Sequence, residues 1–149
     1  MATIRLPTEF SELLKLFNAH EVKYLIVGGY AVAYHGYPRT TGDIDIWIER
    51  SGKNARRTVK ALREFGFDVP ALQPELLRKP GRIVRMGYPP LRVEILTSLS
   101  GVEFAPCYEN RVEDEMGGVT VSIIGLECLK KNKLASGRHK DLDDLEHLP

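Results

Sequence analysis

Cysteine is scarce in this 149-residue chain, and the two present, Cys107 and Cys128, have no CxxC spacing. That removes a sequence-legible zinc cage or dithiol redox centre, and reduced, buried thiols are expected rather than a bridge. The four histidines, His20, His35, His139 and His147, form no HExxH pattern, so a zinc-hydrolase helix is absent. Of the four, His35 alone lies near the glycine-rich stretch described below. No apolar run approaches the roughly 20 residues that cross a bilayer, and no membrane partner is expected. The opening MATIRLPTEF lacks the apolar stretch of a signal peptide, so a cytoplasmic location is expected. Neither GxGxxG nor GxxxxGK followed by Ser or Thr occurs after a strand, which argues against a dinucleotide fold and a P-loop. No internal repeat or low-complexity segment is visible.

With 43% hydrophobic and 28% charged residues, the composition is that of a soluble globular protein. The length suits a single domain over residues 1–149, with a helical C-terminal segment from about residue 125. Net charge is only +1, yet the basic residues are uneven, with eleven against three acids between residues 50 and 92. This segment is a candidate polyanion-facing surface, although Lys and Arg at helical spacing from Lys53 to Arg63 equally describe a solvated helix face.

The informative stretch is VKYLIVGGYAVAYHGYPRTTGDIDIWIE, residues 22–49. Tyr24 to Val27 reads as a strand, and Gly28 and Gly29 then permit a sharp turn with amides free to approach a ligand. A short helix is expected from Tyr30 to Tyr34, its N-terminus suited to phosphate. In DIDIWIE the alternation of a strand sends Ile44, Ile46 and Ile48 inward and puts Asp43, Asp45, Trp47 and Glu49 on the other face. Adjacent carboxylates on one face repel unless a cation compensates them, and hard oxygen ligands suit Mg2+ or Mn2+ with a phosphate substrate. Trp47 on that face is read as core filling at least as readily as a platform for a base.

Gly28-Gly29, thirteen intervening residues and then Asp43-Ile44-Asp45 resemble the signature of the DNA polymerase β-type nucleotidyltransferase superfamily. Arg39-Thr40-Thr41-Gly42-Asp43-Ile44-Asp45 is similar to the R-x-T-x-D-x-D of small bacterial members, among them lincosamide-type antibiotic transferases and abortive-infection toxins. A weaker likeness runs through Asn132 to Arg138 and Asp141 to Asp144. The resemblance implies an α/β (α+β) nucleotidyltransferase fold, a small mixed and mostly antiparallel sheet packed by helices. It also implies metal-dependent transfer of a nucleoside monophosphate from a nucleoside triphosphate (NTP).

The remaining chain supplies the other parts. Helices are expected from Thr8 to about His20, over NARRTVKALREFGF with a stop at Gly66, over LECLKKNKLAS to Gly137, and over DLDDLEHL; a short helical turn is expected around Glu75 to Leu77. Arg82 to Met86 and Leu91 to Leu96 flank a Gly-Tyr-Pro-Pro turn and read as a hairpin, VTVSII as another strand, and residues 102–116 as loop with some helix. In LRVEIL, Arg92, Glu94 and Leu96 share a face, and Glu94 is the expected third metal ligand. Glu49, roughly 13 Å along the strand from Asp45, is the less suitable alternative. Arg39 and Thr41 are expected at the mouth of the site. Lys133, Arg138 and Lys140 are expected to bind phosphates or a nucleic-acid acceptor, unless Asp141, Asp143 and Asp144 simply pair with them.

The expected catalytic and metal-binding set is thus Asp43, Asp45 and Glu94, with Gly28, Gly29, Arg39, Thr41, Lys133, Arg138 and Lys140 on the nucleotide. An RNA end, a protein hydroxyl and a small molecule are the open acceptor classes, and the basic segment and the toxin likeness tilt the expectation towards RNA. A homodimer or a partner protein would complete the acceptor site of so short a chain, as in a toxin–antitoxin pair. The alternative from another class is a nucleotide-binding or antitoxin-type protein that keeps the fold without turnover.

Overall fold

In the computed structural model, which describes residues 5–38, 42–88 and 90–149, the chain begins with α1 (Thr8–Ala19), β1 (Tyr24–Val27), α2 (Gly28–Tyr34) and β2 (Asp43–Ile48). It continues with α3 (Gly52–Phe65), α4 (Pro74–Arg78) and the hairpin β3 (Ile83–Tyr88) and β4 (Leu91–Leu96). It closes with α5 (Phe104–Glu109), β5 (Val112–Met116), β6 (Val119–Ile123), α6 (Leu126–Ser136) and α7 (His139–His147). The strands form one mixed sheet in the order β3-β4-β2-β1-β6-β5. β1–β2, β3–β4 and β5–β6 are antiparallel, while β2–β4 and β1–β6 are parallel. No described helix is long and apolar enough to cross a membrane.

Alternation along β2 does the sorting that the sequence implies. Ile44, Ile46 and Ile48 are fully buried in a core that also takes the apolar stripe of α1, with Phe10, Leu13, Leu14 and Phe17, and that of α3, with Ala55, Val59 and Leu62. The polar link between these layers is Asn54. Its side chain accepts from Lys23 N at 2.7 Å and donates to the carbonyls of Lys23 (3.0 Å) and Glu49 (2.8 Å). Those bonds pin the start of α3 to the outer ends of β1 and β2, so the two aspartates at the opposite end of β2 stand on a braced strand. Ser51 caps α3 by accepting from Asn54 N at 3.2 Å.

Two expectations are corrected. Residues 112–116 form an edge strand, not loop, paired antiparallel with β6 through the Gly117-Gly118 turn. Glu113 and Glu115 face solvent there, and a charged edge is the usual protection against unwanted strand pairing. Cys107 and Cys128 are not free thiols but a disulfide between α5 and α6, with Cα atoms 5.9 Å apart. The proximity arises where the chain leaving α5 meets the start of α6, with Asn110 O beside Gly125.

Candidate active site

The last residue of β1, Val27, lies opposite Asp45 in the antiparallel register, so the glycine turn that follows it opens beside the acid. Gly28 has φ +66°, and a Cβ there would collide with the Asp45 carboxylate. Glycine is therefore required twice, for a left-handed backbone and for close approach. Gly28→Ala is expected to cost about 1–3 kcal/mol through backbone strain alone and to displace Asp45. Thermal melts would check this, and an unchanged melting temperature would show that the turn tolerates a side chain.

β2 and β4 run parallel with Asp43 opposite Arg92 and Asp45 opposite Glu94. Asp43, Asp45 and Glu94 thus reach the same cleft, about 850 Å³ in volume, whose walls also include Gly28, Gly29, Lys133, Arg138 and Lys140. Every anticipated site residue within the described part of the chain meets there. Arg39 and Thr41 lie outside the described residues. Glu49 is elsewhere, accepting from Ser51 Oγ at 2.6 Å and pairing with Lys23 at 3.7 Å.

Charge is tightly balanced in the cleft. Burial, then the neighbouring carboxylates of Glu94 and Asp43, push the Asp45 carboxyl up to about 6, with Lys140 opposing. Arg92 Nη2 donates to Asp43 Oδ2 at 2.9 Å, and its Nε lies 3.8 Å from Glu94 Oε1. Arg85 Nε donates to the same Glu94 oxygen at 3.1 Å. These guanidiniums are the partners that sequence reasoning assigned to a polyanion surface. The alternation placing Arg92 and Glu94 on one face was the available signal. Arg57 and Arg63 of the same basic segment likewise pair with acids, Glu21 and Asp68.

Could these acids hold a divalent cation? Among the described residues no group of three or more His, Cys, Asp or Glu side chains already forms a metal cage. The donor chemistry nevertheless fits. Asp43, Asp45 and Glu94 offer hard carboxylate oxygens on adjacent strands, and the proton affinity of Asp45, raised first by burial and then by repulsion from Glu94 and Asp43, is the kind of penalty that a bound cation relieves.

The C-terminal cations divide. Lys133 Nζ is 3.1 Å from both Asp141 Oδ1 and Asp144 Oδ2, and all three side chains are nearly inaccessible. Arg138 Nε donates to Asp141 Oδ2 at 2.7 Å while most of its side chain remains exposed. Lys140 is exposed and acts electrostatically on Asp45. His35, near the cleft in sequence, binds the carbonyl of Ile124 at 2.7 Å through Nε2 and holds α2 to the end of β6.

The sequence matches the family described as nucleotidyltransferases of unknown function (DUF6036) over residues 4–148. The structure is similar to a solved one described as a candidate nucleotidyltransferase from Thermotoga maritima, with TM-score 0.59 and 16% identity over 97% of this chain and 94% of that chain. At that identity the likeness concerns the fold alone. No curated protein matches the chain.

Proposed function

Since the chain belongs to this nucleotidyltransferase family, we propose that it transfers a nucleoside monophosphate from an NTP to a hydroxyl acceptor, with Mg2+ or Mn2+ held by Asp43, Asp45 and Glu94. The observation that carries this reading is the convergence of the three carboxylates with the Gly28 turn in one cleft. A divalent cation bound there would supply Lewis-acid stabilisation of the phosphoryl oxygens. The amides of Gly28 and Gly29 face the phosphates. Lys140 and Arg138 neutralise the pyrophosphate that leaves, and Arg92 and Arg85 exchange their carboxylates for substrate oxygens as the nucleotide enters. Glu94, beside Asp45, accepts the proton of the attacking hydroxyl.

The non-catalytic alternative has one observation in its favour: the guanidiniums of Arg92 and Arg85 already compensate Asp43 and Glu94. Incubation of the protein and Mg2+ or Mn2+ with each α-labelled NTP and total RNA, whole-cell protein or a panel of hydroxylated antibiotics separates the two. Label is expected in one acceptor fraction and absent with Asp45→Asn. Nucleotide binding with no label in any fraction would favour the non-catalytic protein. RNA is kept as the proposed acceptor on the likeness to toxin members, with less support from the basic segment because Arg57, Arg63, Arg85 and Arg92 pair with acids; a homodimer or an antitoxin-type partner is the proposed means of completing the acceptor side.

A further inference from the structure

Two residues beyond Asp45 on the same strand stands Trp47, 2% exposed, with Phe104 of α5 edge-on at 5.1 Å between ring centroids. Trp47 Nε1 is buried without a hydrogen-bond partner among the described residues. A buried donor left in that state costs free energy, and because this one is sealed within the packing it is the ring that a ligand would meet. Both rings line a second cavity of about 960 Å³, a size that accommodates a small-molecule ring system. Ser98 and Leu99 line this cavity and the carboxylate cleft alike, so the two adjoin. Nothing in the transfer chemistry above uses it.

We propose that this cavity receives the heteroaromatic base of the NTP whose phosphates lie in the carboxylate cleft; the proposal rests on the nucleotidyl-transfer reading. Three features select a base. Its flat, largely apolar faces suit Trp47, Phe104, Leu99 and Val102. The spacing is right, since side chains two apart on a strand are separated by about 6.5–7 Å, comparable to the ribose between a base and its α-phosphate. The charge pattern also fits. Arg50 and Lys131 on this cavity are matched by Glu103 and Glu127, which disfavours a polyphosphate there, whereas the carboxylate cleft carries Lys140 and Arg138.

Trp47 is the sole tryptophan, so its emission reports on this cavity directly. The protein is titrated in Mg2+ with ATP, GTP, CTP and UTP, and in parallel with tripolyphosphate, following both fluorescence and calorimetric heat. At least one NTP is expected to change Trp47 emission saturably while tripolyphosphate binds without changing it. Val102→Phe, which fills the cavity, should weaken that NTP about tenfold, the loss of one good contact at about 1.4 kcal/mol, and leave tripolyphosphate affinity unaltered. Calorimetric NTP binding with silent Trp47 emission, or an unchanged NTP affinity in folded Val102→Phe, overturns the base assignment and leaves the cavity to the acceptor. Absence of binding by every NTP and by tripolyphosphate overturns the nucleotide reading itself, and this proposal with it.

Discussion

Asp45→Asn is expected to lower nucleotidyl transfer by about 1000-fold or more, since several kcal/mol of transition-state stabilisation depend on this carboxylate, and to make the protein more stable at neutral pH. The second half of that expectation follows from the cleft. Asp45 is partly buried, faces Glu94 and Asp43, and has its carboxyl pushed up from 3.8 to about 6. A raised carboxyl is one whose ionised form the fold disfavours. Between about pH 4 and pH 6 the folded protein binds more protons than the unfolded chain. Stability therefore falls as pH rises through that window and stays reduced above it, by about 3 kcal/mol at most.

Asparagine keeps the shape, removes the charge and eliminates this slope. Thermal melts from pH 4 to pH 8 should show a metal-free wild type that loses stability up to about pH 6. The variant should be flatter and melt higher above that pH, by about 5–10 °C. A residue kept for folding behaves the other way, so a variant that melts lower than wild type at pH 7.5, or one that still transfers label, would sink the assignment of Asp45.

What made this centre readable was backbone geometry. Alternation within β2 puts Asp43 and Asp45 on one face, and Leu91, Val93 and Ile95 leave Glu94 on the other face of β4; that the two acid faces coincide is set by the parallel β2–β4 register. The left-handed Gly28 follows from the same stretch, because a glycine pair directly after an apolar strand is turn chemistry. Features created by tertiary contact were harder to see. β5 reads VEDEM, a run poor in strand formers; it is a strand because β6 pairs with it along its length and Tyr34 Oη donates to Asp114 Oδ2 at 2.7 Å. The disulfide joins residues 21 apart that meet only once the fold brings the end of α5 beside the start of α6. Arg85 and Arg92 looked like surface cations because their partners lie one strand away or two residues along, within a cleft that composition cannot show.

Lys133 is the sharpest case of a cation whose work depends on the fold, and Lys133→Ala is expected to destabilise the protein by about 3–5 kcal/mol. The side chains of Lys133, Asp141 and Asp144 are 4%, 1% and 1% exposed. Removing the ammonium leaves two buried carboxylates short of their shared countercharge. Burial alone would raise Asp141, but hydrogen bonds from Arg138 and Lys133 outweigh it and hold that carboxyl at about 2. The stabilisation this provides is present above about pH 4 and is lost as pH falls towards 2. Lys133→Ala should shrink that acid-sensitive component, and the neutral set Lys133→Met, Asp141→Asn and Asp144→Asn should recover most of the melting temperature, because no buried charge is then stranded. The pair also ties α6 to α7, and α7 brings Lys140 to the cleft. NTP affinity should therefore weaken along with stability in Lys133→Ala and return in the neutral set. If Lys133 instead grips phosphate directly, Lys133→Ala would weaken NTP binding at an unchanged melting temperature, and the neutral set would not restore it.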